Sequence, residues 1–452
     1  MVYLIKEGIV KDYNKENFSL NINTFGSSKD IKFMKLKKLR FFSNVNKHSK
    51  IQMKFLFDEE ELKTFNMVIK DPKSEITAGF ITEKNKHYFF EGYVLSIKVA
   101  KITDKLFSCE LYGISKTIDL DKEYINKVYQ NSDYKTFYED LKKETNKIYI
   151  NEEVLNEKLK PFIVRYKETP WMITKRIASH KETVLYPRLS NVMLGRSSVV
   201  SEYNLNKDFS VIKETVFRNG SGISTKSIIK TKALFLTGDK INISMEDINK
   251  SFIVSGCYIT LKNSGKVEKY VSSGDFQISY ILVDENWRYK KRIWNKDLKG
   301  LVLHGEVFEN DMMSDMAKSK IMFYENLEFK YNLLGNETEK PEKYYSIPYT
   351  VPYSKDKSEL FVAPESKDNI LLGFMNEEDE SVYIMGSMYN ENEDRFINND
   401  YRNYFTNGSK IVLDSAKSQI LLEACEQYSE KTSVSKLLSD NIVIETEKFE
   451  GI

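Results

Sequence analysis

The chain has 452 residues, 68 Lys+Arg against 66 Asp+Glu, a formal net charge of +2 and 41% apolar residues. That composition excludes a disordered chain and argues against a dedicated nucleic-acid binder, which carries a clear basic excess. No apolar run approaches the ~18 residues of a membrane helix, and residues 1–18 lack an apolar core of signal-peptide length.

Aromatic residues reach 13% while Pro numbers only eight, which favours strands over long helical arrays. Cys109, Cys257 and Cys425 are far apart and odd in number, as expected of free thiols in a reducing compartment. The length suits two to four domains.

Residues 1–125 read as β, with repeated short strands and polar breaks that suggest a barrel or sandwich. Ile51, Met53, Phe55 and Phe57 alternate with Gln52, Lys54 and Leu56, the period of a half-buried strand. His87–Ala100, broken by Gly92, and Phe107–Ile114 are further runs of this kind. The basic run Lys32, Lys35, Lys37, Lys38 and Arg40, interleaved with Phe33, Phe41 and Phe42, reads as the wet face of a strand; the other reading is a phosphate-tracking surface.

Residues 126–298 mix helix and strand. Asp133–Thr145 sets Phe137, Leu141 and Thr145 on one helical face. A second helix follows Thr169, a good N-cap, with Pro170 at the first helical position and Trp171, Ile173, Ile177 and Ala178 as apolar contacts. Beyond Lys181 short strands return, and Arg218–Thr225 (RNGSGIST) reads as a loop.

Residues 299–390 hold the apolar runs Leu301–Val307 and Lys320–Tyr324, then the strands Ile370–Met375 and Val382–Tyr389 joined by the acidic turn Asn376–Glu380. This is the texture of a small closed barrel such as an OB-fold. Residues 391–452 carry 12 acidic and 7 basic residues, net −5. Their strands alternate, with Ile411 and Leu413, Ile420 and Leu422, and Ile442 and Ile444, and Asn407-Gly408 is a hairpin turn signal. About sixty residues of this kind cannot build a core alone, so the strands call for partner chains.

No catalytic constellation emerges, and no catalytic, cofactor-binding or metal-binding residue is assigned. His48, His87, His180 and His304 stand apart, without His or Cys at ligand spacing, and read as surface or satisfied core residues. RNGSGIST lacks the Lys-Ser/Thr ending of a phosphate loop. Ser433 to Lys436 fits S-x-x-K and Ser439-Asp440-Asn441 fits S-D-N, but they are nearly adjacent and have no Lys-Thr-Gly partner, so chance explains them. Glu377, Glu378, Asp379 and Glu380 share one turn and do not face each other across a cleft, so they read as a solvated hairpin.

Three passages together resemble the hub–spike proteins of contractile injection machines: the VgrG proteins of type VI secretion and the hub and spike of phage tails and R-type bacteriocins. Arg165–Ala178 (RYKETPWMITKRIA) is similar to a hub signature at Tyr166, Glu168, Thr169, Arg176, Ile177 and Ala178, with Pro170 in place of the usual Asp and Trp171 beside it. Ile347–Asn390 resembles the spike-base OB-fold at Pro364, Gly373, Phe374, Tyr383, Gly386, Ser387 and Asn390. Asn399–Ala424 resembles the opening strands of a needle.

The resemblance implies a mainly β chain with an α+β hub, hub β-barrel domains with a few helices, an OB-fold spike base and a short trimeric β needle. Its expected role is structural and non-enzymatic: a homotrimeric baseplate hub and membrane-piercing spike that joins a sixfold inner tube to a threefold needle. Expected partners are the inner tube protein, baseplate proteins and a separate needle-tip protein, with transient passage through a target membrane and no nucleic-acid specificity. Assembly is expected in the bacterial cytoplasm, without a signal peptide. Trp171, Pro364, Gly373 and Gly386 are expected to fix turns or packing. The alternative is an OB-fold module that binds nucleic acid or surface glycan.

Overall fold

The computed structural model describes residues 6–7, 18–81, 86–130, 134–150, 162–195, 201–205, 209–219, 222–231, 233–245, 248–261, 276–311, 318–323, 345–348, 350, 354–355, 358–359, 366–388, 401–406, 409–414 and 419–423. Pro364, Asn390, Cys425, the Asn407-Gly408 turn, the S-x-x-K and S-D-N matches and the strand expected at Ile442–Ile444 lie outside the described residues. The chain divides into two compact units, Met1–Met388 and Tyr389–Ile452.

The first unit begins with β1 (Lys6–Glu7), β2 (Phe18–Thr24), β3 (Ser27–Asp30), β4 (Lys35–Asn44), β5 (Lys50–Asp58), β6 (Glu75–Ile81), β7 (Lys86–Lys101) and β8 (Leu106–Ser115). On β5 the alternation works as read: Ile51, Met53, Phe55 and Phe57 are buried and the residues between them are half-buried. On β4, Leu36, Leu39 and Phe41 point into the core while Lys35 and Arg40 stay wet, so the basic run from Lys35 to Arg40 is a strand face, and Lys32 precedes the strand. A helix interrupts this β stretch: α1 (Leu62–Lys70) lays Phe65 and Val68 on the sheet, where Phe65 meets Phe57 at a ring separation of 4.5 Å. Burial of a Phe of this kind is worth roughly 1.5–3 kcal/mol.

The middle of the chain supplies β9 (Ile125–Gln130), α2 (Tyr134–Glu144), β10 (Ile148–Ile150), β11 (Phe162–Glu168), α3 (Pro170–His180), β12 (Leu185–Arg188) and β13 (Asn191–Leu194). Next come β14 (Glu202–Leu205), β15 (Phe209–Asn219), β16 (Gly222–Thr231), β17 (Lys240–Met245), β18 (Ile248–Leu261) and β19 (Phe276–Asp284). Among the described residues fourteen strands form one sheet, in the order β1-β14-β17-β18-β4-β5-β8-β7-β6-β2-β3, with β19, β16 and β15 branching from β18. The branch is possible because β18 is long: it pairs with β17 along its first half, with β4 along its second half and with β19 on its other side. Strands from before residue 125 and after residue 200 therefore share one hydrogen-bonded sheet.

The described residues of Arg218–Thr225 are strand, not loop: Arg218 pairs with Ile223 and Asn219 with Gly222, so β15 and β16 are antiparallel neighbours up to Asn219 and from Gly222. The Gly and Ser content reads as loop from composition, whereas cross-strand pairing decides the conformation.

The barrel comprises β20 (Val302–Asp311), β21 (Lys318–Phe323), β22 (Tyr345–Pro348), β25 (Asn369–Phe374) and β26 (Val382–Met388), and between β22 and β25 the short β23 (Ser354–Lys355) and β24 (Ser358–Glu359) pair only with each other. Five strands form a sheet in the order β22-β21-β20-β25-β26. The ends of that sheet meet, because the Thr350 amide beyond β22 donates to the Ile384 carbonyl on β26 at 3.0 Å. The closed order β20-β21-β22-β26-β25 is that of an OB-fold, and closure removes both sheet edges.

The second unit contains β27 (Tyr401–Thr406), β28 (Ser409–Asp414) and β29 (Gln419–Glu423) in one antiparallel sheet. Ile411 registers with Leu422 and Leu413 with Ile420, so the alternating apolar positions lie opposite one another.

Candidate functional site

The hub signature builds a junction between α3 and the barrel. Thr169 caps α3 as read: its hydroxyl accepts the Met172 amide at 3.1 Å, and Pro170 opens the first turn. The helical period then buries Ile173 and Ile177 and carries Arg176 onto the same side, so that a guanidinium is forced into the interior. Arg176 and Asp379 are each only 1% exposed. A buried cation of this kind needs carboxylate partners and full hydrogen bonding.

Both carboxylates are present, and all three guanidinium nitrogens donate. Arg176 Nε and Nη2 form a fork onto the Glu168 carboxylate, at 2.9 and 2.7 Å. Its Nη1 reaches Asp379 at 2.7 Å, and Nη2 also donates to the Val164 carbonyl at 2.9 Å. The other Asp379 oxygen accepts the Val164 amide at 2.8 Å. Burial opposes the charge on Arg176, but Asp379 and Glu168 outweigh it and hold the guanidinium well above its ordinary pKa. Burial pushes Glu168 above the ordinary carboxylate value, with Arg176 pulling against it.

Asp379 belongs to the turn between β25 and β26 that sequence reading assigned to solvent. Glu377 and Glu378 are half-buried and Glu380 is exposed, but Asp379 is driven inward. The turn is tied shut by the Glu378 amide on Asn376 Oδ1 at 2.7 Å and by Ser381 Oγ on the Glu378 carbonyl at 2.7 Å. It thereby presents one carboxylate to a helix 203 residues earlier.

A second layer ties the same segment to the large sheet. The Thr169 hydroxyl donates to Asp121, whose other oxygen lies 3.2 Å from His48 Nε2. His48 Nδ1 is 2.8 Å from the Thr117 hydroxyl, and the His48 ring packs on Trp171 with 4.0 Å between centroids. Burial tends to raise Asp121, but His48 and Thr169 hold it below the ordinary value. Arg165, fully buried, grips both Glu144 oxygens at 2.8 and 3.0 Å and donates to the Glu168 carbonyl at 3.0 Å. Tyr166 packs against the barrel core, and its carbonyl accepts Asn295 Nδ2 at 2.9 Å.

Tyr166, Glu168, Thr169, Trp171 and Arg176 thus gather in one place. Phe374 lies in the barrel core, which continues without a break into Val128 of β9 and Phe162 and Val164 of β11. Gly373 leaves room for Met385 and Tyr383, whereas a side-chain carbon at Gly386 would enter open space. Sequence reading missed Asp379, Asp121, Arg165 and Glu144. The available signal was Arg176 itself, three residues from Ile173 on an apolar face, which requires a buried anion.

Arg176, Glu168, Asp379, Arg165, Glu144, Asp121 and His48 each make at least one hydrogen bond within the protein, and among the described residues no cluster of three His, Cys, Asp or Glu could hold a metal ion. Cys109 and Cys257 are buried free thiols, and burial pushes Cys109 up to about 12.

No protein-family profile and no curated protein matches the sequence. Solved structures do. A VgrG complex with PdpA from Francisella, in its lidded form, aligns with 91% of this chain and 80% of its own at 11% identity and a TM-score of 0.53. The lidless PdpA–VgrG complex aligns with 90% of this chain and 94% of its own at 10% identity and the same TM-score of 0.53. A component of the Escherichia coli type VI secretion system overlaps 81% of this chain and 99% of its own, at 11% identity and a TM-score of 0.48. The fold is that of a VgrG-like hub–spike protein.

Proposed function

We propose that the protein is a structural hub and spike of a contractile, phage-tail-like or type VI-like injection apparatus. Three copies assemble about one axis, the large sheet of each forming the hub and the OB-fold barrel the base of the spike. The hub joins a sixfold inner tube to a threefold needle, and residues 391–452 intertwine with their counterparts to make that needle. The role is mechanical and not enzymatic. The particle is assembled in the bacterial cytoplasm and drives the needle through a target membrane when it contracts, with tube, baseplate and tip proteins as partners.

The observation that carries this reading is the Arg176–Glu168–Asp379 clamp in a VgrG-like fold. A needle can transmit axial force only if its base is fixed to the hub. Buried ion pairs have strict geometry, so they hold orientation as well as adding stability. Edge strands in the tail favour pairing between chains, where all backbone groups find partners. The Francisella VgrG is found in a complex with PdpA, which supports the expectation of an additional partner protein for this chain.

Chemical crosslinking of the full chain tests the assembly, with a trimer as the product expected. Incubation with peptidoglycan tests the mechanical role: no soluble fragments are expected, and their release would point to a hydrolase.

A further inference from the structure

A groove of about 430 Å³ lies across the sheet branch, and none of the residues of the Arg176 clamp lines it. It runs from Phe217 on β15 over β16, β19 and β18 to Asn44 at the end of β4. Five neighbouring strands at ~4.8 Å spacing give it a length of roughly 19 Å, which matches about six extended residues at ~3.3 Å each. Its floor is apolar, with Ile281 and Val283 of β19.

One wall is residues 287–291, which the backbone fixes in place. The Trp287 amide donates to the Asp284 carbonyl at 3.1 Å and the Tyr289 amide to the Glu182 carbonyl at 2.8 Å. Trp287 and Tyr289 meet edge to face at 6.2 Å and pack on the cluster that holds Val184, Ile253 and Val283. The groove is therefore preformed.

Its charge is of one sign. Lys226, Arg288, Lys290 and Lys291 line it, and no Asp or Glu does among the described residues. The sequence around the wall, Arg288-Tyr289-Lys290-Lys291-Arg292, places four cations in five residues of a chain whose overall charge is +2. Of the four lining cations, the described ion pairs engage only Lys290, and that one is 3.9 Å from Glu182. The positive field extends inward: Lys175 is held below its ordinary pKa by burial first, with Asp121 opposing and Lys291 and Lys47 adding to the shift.

We propose that this groove binds an extended acidic segment of a partner polypeptide, about six residues long, with Asp or Glu side chains on Lys226, Lys290 and Lys291 and apolar side chains on the floor between Phe217 and Trp287. The alternation of acidic and apolar groups follows from the pleat of an extended chain, which turns successive side chains to opposite faces. A peptide fits better than a nucleic acid, because the floor is aliphatic and Trp287 and Tyr289 are held edge to face against each other, not as parallel platforms, which leaves Phe217 as the one well-exposed lining ring for a base to stack on. The inference stands apart from the hub-and-spike reading and survives or fails without it.

The test is fluorescence anisotropy of the full chain with a labelled hexapeptide of alternating Glu and Leu. The controls are the same peptide with Gln for Glu and a twenty-residue oligothymidylate. The Glu peptide should bind at least about tenfold more tightly than the Gln peptide and weaken as salt rises. The doubly charge-reversed K290E/K291E chain, altered only at exposed positions, should lose at least about tenfold in affinity. Acetylation of the unmodified chain gives a second readout, since bound Glu peptide should protect Lys226, Lys290 and Lys291. Equal binding of the Gln peptide, unchanged binding by the reversed chain, unprotected lysines, or binding of the oligonucleotide in place of the peptide would each overturn the proposal.

Discussion

Arg176 and Asp379 are 203 residues apart in sequence and 2.7 Å apart in space, both almost wholly buried. The pair welds the helix of the hub signature to the turn of the OB-fold barrel, with Glu168 closing the fork from the other side.

Arg176→Met leaves Glu168 and Asp379 as buried carboxylates without their cation. Loss of one partner of a buried pair costs about 3–5 kcal/mol, so urea unfolding should shift by that order. Arg176→Lys should recover only part of the loss, because an ammonium cannot make the planar fork. A double-mutant cycle with Asp379→Asn should show coupling of at least about 1 kcal/mol. Additive effects would mean that the two residues do not work as a unit.

Thr169→Ala removes both the helix cap and the donor to Asp121. Loss of a cap alone costs about 1 kcal/mol, and the stranded Asp121 adds to it. Thr169→Ser keeps the hydroxyl and should stay close to the parent stability. Thermal melts of the two variants separate the cap from mere side-chain volume.

Gly92 lies within β7, between Ile76 of β6 and Ser115 of β8, where a side-chain carbon would strike the Ile114 carbonyl of β8. Backbone cannot yield as a flexible side chain can, so Gly92→Val should destabilise by more than about 2 kcal/mol. Gly386→Ala, where that carbon meets nothing within 4 Å, is the matched control and should change stability little. Chemical denaturation of both variants reads the difference.

Acid should weaken the fold through Asp119 and Asp121. Burial raises both, but Lys122, Lys147 and Tyr93 on Asp119, and His48 and Thr169 on Asp121, hold them below the ordinary value of 3.8. A carboxylate lowered on folding stabilises the protein above its unfolded pKa, and that contribution is lost as pH falls through the folded value. The decline should therefore set in below about pH 4 and be smaller in Asp119→Asn. Glu168 acts in the opposite sense, since burial raises it above 4.5 and its contribution falls as pH rises past that value. An identical acid limb in parent and Asp119→Asn would contradict the assignment.

Much of this was legible in the sequence where local rules decide. Thr169 and Pro170 announce the start of α3, and alternation on residues 51–57 announces β5. The helix α1 was hidden because its acidic approach, Glu59 to Glu61, follows a strand without a break, leaving only Phe65 and Val68 at helical spacing. The strand structure within Arg218–Thr225 depends on pairing between strands, which composition does not encode. Asp379 looked like its solvated neighbours because only Arg176, far away in sequence, gives one carboxylate of that turn a reason to be buried.

Light scattering during size-exclusion chromatography of the full-length chain tests the central claim most directly. Three polypeptides per particle are expected at every concentration, with amide protection in residues 401–423 that vanishes if the particle is dissociated. A single chain per particle whose final sixty residues are nonetheless protected would contradict the account.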